Sequence, residues 1–286
     1  MERITDRRLL GGHISTAGGI SKSPERANAF SFRTMQIFSK NQMQWKARPL
    51  DENEVSGFKK YVSEFNLVRI MVHASYLLNT ASTDMSLRSK VEAALREELS
   101  RADILGIDYL VLHPGSPGDM GEKKGIEMVA ESINRTLGAD HHVKVLLETG
   151  AGQGNTVGHK FEHLASMIDM IEIKEKVGIC FDTCHVFAAG YDIKTPEGYH
   201  EAMDSFNSII GLDKLLGFHL NDSKKGLGSH LDRHEQIGSG MLGLEGISNF
   251  INDPRLREKP FVLETPKGEA GYGEDIANLQ KCFNGD

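Results

Sequence analysis

Short apolar runs, each ending on a polar residue, alternate along this chain with longer amphipathic stretches. The runs read as buried strands, and the stretches carry apolar residues at the three-to-four spacing of a helix face. Strands are predicted at 9–14, 34–38, 68–73, 109–113, 143–149, 178–182, 216–221 and 260–265. Helical patterns lie between them, among them 87–105, 126–137, 160–171, 196–210 and 274–283. Strand and helix alternate eight times in 286 residues, which is the count of a (β/α)8 TIM barrel. A doubly wound open sheet is the alternative. No Pro/Gly/Ser-rich linker and no shift in composition divides the chain, so residues 1–286 read as a single domain.

The residues that end the apolar runs carry the chemistry. His73, His113, Glu148, Asp182, His219 and Glu264 each stand at the carboxyl end of a predicted strand, about one strand-plus-helix repeat apart. In a barrel these ends converge on one rim, the face where barrel enzymes place their sites. His185 follows Asp182 in a loop, and Asp232 and His234 follow His219 in another. In a locally extended segment the last two point the same way. Any one of these residues is more often structural, but six in register on strand ends are hard to explain by accident. Buried unpaired carboxylates cost several kcal/mol each, so a cluster of four calls for cations. Five imidazoles and four carboxylates with no obvious thiolate suit Zn²⁺ or Mn²⁺ better than Ca²⁺ or Mg²⁺. Nine ligands exceed what one ion takes and point to two or three.

Composition adds further bounds. With 39% hydrophobic residues the chain can bury a barrel-sized core. No apolar run approaches the roughly 18 residues of a membrane span. The opening Met1-Glu2-Arg3-Ile4-Thr5-Asp6-Arg7-Arg8 is charged where a secretory core would be apolar, so a soluble cytoplasmic protein is expected. Cys180, Cys184 and Cys282 form no disulfide framework and read as reduced thiols. A net charge of -7 argues at first against nucleic acid, but three divalent cations would bring the chain close to neutral.

Longer segments resemble a known family. They include Gly12-His13-Ile14-Ser15-Thr16-Ala17-Gly18-Gly19, Phe38-Ser39-Lys40-Asn41-Gln42, His73-Ala74-Ser75-Tyr76-Leu77-Leu78-Asn79 and His113-Pro114-Gly115-Ser116. The most specific are Phe181-Asp182-Thr183-Cys184-His185-Val186-Phe187-Ala188-Ala189-Gly190-Tyr191-Asp192 and His219-Leu220-Asn221-Asp222-Ser223-Lys224 with Asp232-Arg233-His234. By these motifs the chain is similar to the endonuclease IV family of abasic-site DNA repair enzymes. The resemblance implies a TIM barrel with three zinc ions on its rim. His73 and His113 would hold the first, with Glu148 bridging to the second; Asp182, His219 and Glu264 would complete the second; His185, Asp232 and His234 would hold the third. It implies hydrolysis, by a metal-bound hydroxide next to Glu148, of the phosphodiester 5′ to an abasic site in duplex DNA. The products would be a 3′-hydroxyl and a 5′-deoxyribose phosphate, and trimming of blocked 3′ ends is also implied. A monomer acting on double-stranded DNA is expected.

Two stretches look like the loops with which such an enzyme enters the minor groove and expels the abasic nucleotide. One contains Lys40, Asn41, Gln42, Met43 and Trp45; the other contains Tyr76 and Leu77. Lys224 and Arg233 are further DNA candidates. Met43 stands where the family pattern has arginine: it keeps an apolar wedge without the guanidinium contacts. His13 reads as a partner of a ligand or as core. The competing function is a divalent-metal sugar isomerase or epimerase of similar barrel type, which needs fewer histidines and no wedge loops. A non-catalytic DNA-binding or metal-storage protein would not need nine ligands on one rim.

Overall fold

Period-two alternation, inward then outward, organises the strands of this protein. The computed structural model describes residues 3–285. Eight parallel strands are β1 (Leu9–Gly12), β2 (Gln36–Ile37), β3 (Met71–His73), β4 (Tyr109–Leu112), β5 (Lys144–Glu148), β6 (Val177–Asp182), β7 (Leu215–His219) and β10 (Pro260–Leu263). They pair in the order β1-β10-β7-β6-β5-β4-β3-β2. A parallel bridge between His13 and Gln36, with the Ile14 N–H donating to the Gln36 carbonyl at 2.8 Å, joins the two ends and closes the barrel. The closed TIM barrel replaces the open-sheet alternative. Two short antiparallel strands, β8 (Asp222–Ser223) and β9 (His234–Glu235), form a hairpin inserted between β7 and β10.

The barrel interior is a small apolar plug of Met71, Tyr109, Val111, Leu146, Cys180 and Val262. Two residues beyond its members stand His73, His113, Glu148, Asp182 and Glu264, which is the same inward side of the same strands. His219 follows Gly217 in the same way. A Cβ at Gly217 would lie 2.4 Å from the Met71 terminal methyl, so glycine there makes room for the methionine that fills the centre. The plug excludes water from below the polar ring.

The intervening residues face outward and are covered by helices α1 (Ile4–Arg7), α2 (Ser23–Ala29), α3 (Glu52–Glu64), α4 (Met85–Leu105), α5 (Gly121–Thr136), α6 (Phe161–Met170), α7 (Thr183–Ala189), α8 (Pro196–Ile209), α9 (Gly243–Ile251) and α10 (Tyr272–Cys282). Phe181, Phe206, Phe218 and Phe250 pack there in one aromatic group, with Phe181 and Phe250 centroids 5.5 Å apart. Helix starts follow capping chemistry: the Asp84 carboxylate accepts the Ser86 N–H at 2.8 Å, and the Thr195 hydroxyl accepts the Gly198 N–H at 3.1 Å ahead of Pro196.

Boundaries differ from expectation where backbone conformation overrides composition. The strand predicted from residue 68 begins at Met71, because Arg69 has φ +52°, a left-handed residue that cannot join a ladder. Helix α5 begins at Gly121 rather than 126: its first turn has no apolar residue to betray it. His185, expected in a loop, lies in α7, whose first turn is capped by the Asp182 carboxylate accepting the His185 N–H at 2.8 Å.

Candidate metal centre

Glu148, at the end of β5, lies at the centre of the rim with its two carboxylate oxygens facing different neighbours. One oxygen is 2.9 Å from His113 Nε2 and 3.3 Å from His73 Nε2. The other is 2.9 Å from His219 Nδ1 and 3.3 Å from His185 Nδ1. His219 Nδ1 also lies 3.1 Å from a Glu264 oxygen and 3.8 Å from an Asp182 oxygen. On the β8–β9 side, Asp232 is 3.1 Å from His185 Nε2 and 3.4 Å from His234 Nε2. The nine residues therefore gather into three groups with ligand atoms close enough to share a cation. These are His73, His113 and Glu148; Glu148, Asp182, His219 and Glu264; and His185, Asp232 and His234.

Hydrogen bonds at the far sides of the rings fix which nitrogen is free. His73 Nδ1 donates to the Ala74 carbonyl at 2.7 Å, His185 Nδ1 to the Thr149 carbonyl at 2.9 Å, and His234 Nδ1 to the Glu264 carbonyl at 3.2 Å. His219 Nε2 donates to the Gln36 side-chain oxygen at 2.8 Å. Each ring is thus held in the tautomer that turns a lone pair inward, the arrangement metal-ligating histidines use. The buried His185 Nε2 and His234 Nε2 have no hydrogen-bond partner, although a carboxylate oxygen lies in front of each. Lone pairs facing lone pairs in a buried site are what a divalent cation resolves, so the residues fit metal ions.

The electrostatics show the same demand for positive charge, which either a proton or a cation meets. Burial works to raise the Glu148 carboxyl, yet His113 and His219 hold it well below its ordinary value. Burial works to discharge His185, yet Asp182, Asp232 and Glu148 hold it well above. The Cys184 sulfur also lies within reach of Asp182 and His234, and burial pushes its thiol up to about 12.

Two residues that sequence reasoning passes over complete the site. Gln36 is fully buried; its amide nitrogen donates to Glu264 at 2.6 Å while its oxygen holds His219. Asn221 donates to Asp182 at 2.8 Å and accepts the Glu264 N–H at 2.8 Å. Register is the signal that could find Gln36: it pairs with His13 across the closing seam, and His13 Nδ1 is 3.3 Å from Glu264.

A second His/carboxylate group, Glu122, His159 and His163, shares no member with the three rim groups. There the Gly158 N–H donates to His163 Nδ1 at 3.3 Å, so Nε2 carries the proton and donates to Glu122 at 3.2 Å. Lys160 bonds both Glu122 oxygens at 3.1 Å.

A family model described as a xylose isomerase-like TIM barrel matches residues 24–282. The chain is 45% identical over 272 residues to probable endonuclease 4 of Chloroflexus aurantiacus, covering 94% of this chain and 95% of the relative. To probable endonuclease 4 of Thermoplasma volcanium it is 44% identical over 281 residues, covering 98% and 97%. The crystal structure of endonuclease IV from Thermus thermophilus superposes with a TM-score of 0.85 at 33% identity, covering 96% and 98%. The chain belongs to the endonuclease IV family. Membership makes it a hydrolytic nuclease of the AP endonuclease class, with a role in DNA repair. A D-tagatose 3-epimerase-like protein, at 18% identity and a TM-score of 0.72, shares the fold alone. Among the described residues no helix is long and apolar enough to cross a membrane.

Set against endonuclease IV, the rim loops divide. Met43 is 66% and Tyr76 59% exposed, Asn41 is exposed, and Gln42 and Leu77 are partly so. Lys224 and Arg233 are exposed on the segment that carries Asp232. Lys40, expected to contact DNA, has a side chain 2% exposed, with the ammonium 3.1 Å from Glu97 and 3.6 Å from Glu98. Trp45 packs partly against the core. A groove of about 800 Å³, lined by His13, Phe38, Asn41, Gln42 and Lys267, adjoins the rim.

Proposed function

We propose that the protein hydrolyses the phosphodiester 5′ to an abasic site in duplex DNA. It leaves a 3′-hydroxyl and a 5′-deoxyribose phosphate, and it also trims blocked 3′ termini. The observation that carries this reading is the convergence of nine ligand side chains, with inward lone pairs fixed by carbonyl partners, beside exposed apolar side chains on adjoining loops.

The donor set suits zinc, with Mn²⁺ as an alternative occupant of some positions. Three ions would be held by His73, His113 and Glu148; by Glu148, Asp182, His219 and Glu264; and by His185, Asp232 and His234. When bound, such ions lower the pKa of water and neutralise charge on a pentacoordinate phosphate. Glu148 belongs to the first two groups, so its carboxylate would bridge them and orient the attacking water. The apolar plug keeps water from approaching from below, and the half-exposed His113 lies on the substrate side. Met43, Tyr76 and Leu77 enter the minor groove and occupy the gap left by the expelled nucleotide. The protein acts as a monomer inside the cell on double-stranded DNA.

The test is incision of a duplex oligonucleotide carrying one tetrahydrofuran abasic analogue, beside an undamaged duplex. The analogue blocks β-elimination, so a cut on its 5′ side that leaves a priming 3′-hydroxyl is hydrolysis. Zinc-loaded protein that leaves the analogue intact and isomerises or epimerises a sugar would replace this reading.

A further inference from the structure

Helix α4 buries four charged side chains, Arg88, Glu92, Glu98 and Arg101. Glu98, 1% exposed, reaches two loops that leave different strands. One of its oxygens accepts the Ser39 hydroxyl at 2.9 Å, and the other accepts the Ser75 N–H at 3.3 Å. Lys40 lies beside it and donates to the Trp45 carbonyl at 3.3 Å. Arg101 donates to Ser39 Oγ at 3.2 Å, to the Arg48 carbonyl at 2.9 Å and to the Ser39 carbonyl. The Ser75 hydroxyl then donates to the Gln42 carbonyl at 2.5 Å and joins the loops directly.

A buried charge network of this kind is a weak source of stability, since an apolar group of the same shape often serves as well. Its geometry does something else. Met43 follows Gln42 and Tyr76 follows Ser75, so the two most exposed apolar side chains of these loops sit one residue beyond the atoms the network ties together. Forcing a side chain into a base stack costs a few kcal/mol per step. A loop that must order itself at the same moment adds to that cost.

We propose that Glu98 is the positioning residue that locks the 39–48 and 75–77 loops into one rigid unit, so that Met43 and Tyr76 meet DNA together. Lys40 serves this anchor and not a phosphate. The inference rests on the endonuclease reading above and names what prepares its DNA-probing surface.

The test uses full-length, zinc-loaded protein and the variants Glu98→Ala, Glu98→Gln and Lys40→Met. Trp45 is the only tryptophan and lies in the first loop, so its emission reports loop order without DNA. Bis(p-nitrophenyl) phosphate reports the rim chemistry without the loops. Glu98→Ala keeps its zinc content and its small-diester hydrolysis within about twofold. It loses about thirtyfold in affinity for the tetrahydrofuran duplex, with little change in single-turnover rate at saturation. Its Trp45 emission shifts to the red, and the signal of a 2-aminopurine beside the lesion no longer rises. Glu98→Gln, which keeps the size and one acceptor, recovers most of the affinity. Lys40→Met, the milder change, gives the same Trp45 shift and leaves the salt dependence of binding unaltered.

Unchanged affinity and emission in Glu98→Ala would overturn the inference, as would parallel loss of zinc and small-diester hydrolysis. So would a fall of about one in the salt slope of Lys40→Met with Trp45 unmoved, the signature of a lost phosphate contact. If wild-type protein does not incise the tetrahydrofuran duplex, the endonuclease reading fails on its own. The Trp45 arm still tests the anchor.

Discussion

Two groups of histidine and carboxylate side chains in this protein are alike in composition and differ in how their hydrogen bonds are spent. On the rim, His73, His185, His219 and His234 each donate from the far nitrogen and turn a lone pair toward the carboxylates. In the second group, His163 accepts from the backbone and donates toward Glu122, and Lys160 takes both oxygens of that carboxylate. His159 alone repeats the rim pattern, donating from Nδ1 to the Thr156 carbonyl at 2.9 Å, and the carboxylate its Nε2 faces is already taken by His163 and Lys160. Residue types therefore do not make a metal site; what their hydrogen bonds leave free does.

The sharpest way to break this comparison is to neutralise the central carboxylate of each group. Glu148→Gln lowers turnover on the abasic duplex by about a thousandfold or more while largely sparing DNA binding. Glu122→Gln leaves turnover unchanged. Single-turnover incision beside a gel-shift titration checks both, and equal losses would end the distinction. Metal analysis comes next: Asp232→Asn loses one ion per chain, whereas His159→Ala keeps the wild-type stoichiometry. An ion lost from His159→Ala would show that the second group binds metal after all.

A smaller effect is expected behind the ligands. Gln36→Leu removes the acceptor that holds His219 in its tautomer, and the ion beside it exchanges to a chelator about 10- to 100-fold more readily. Unchanged exchange would remove Gln36 from the site. The smallest effect concerns pH. Lys160 and then His163 and His159 hold Glu122 below its ordinary 4.5. A carboxyl held below its unfolded value contributes stability above that value and loses it as pH falls through the folded one. Glu122→Gln is therefore less stable at pH 7 by about 0.5 kcal/mol or less, because exposed pairs are screened. The difference closes as pH falls from the ordinary carboxyl value through the lower folded one. A gap that widened in acid would contradict the sign.

The strand-end ligands are legible in the sequence because the two-residue period of a strand and the repeat of the barrel are both printed in the order of residues. That rule alone picks out His73, His113, Glu148, Asp182, His219 and Glu264, which the fold brings together. The helix under His185 is not legible, since α7 spans only Thr183–Ala189 and its cap is itself a candidate ligand. The surroundings of Lys40 are hidden for a different reason. A lysine in a polar loop reads as exposed, and only the fold brings Glu97 and Glu98 of α4 against it. Gln36 escapes notice because an amide between Met35 and Ile37 gives no ionisable signal. Its importance lies in what faces it across the barrel.

That same position has a mechanical meaning. The strand ends β1 and β2 meet through one bridge, His13 to Gln36, the thinnest seam in the ring of strands. Both residues at that seam also hold Glu264, and Gln36 holds His219. Ions on the rim would then act as a clasp on the barrel, drawing β1, β2, β7 and β10 together at their ends. Losing them would loosen the seam before any other part of the cylinder, so that the amides of Ile14 and its neighbours exchange with solvent first.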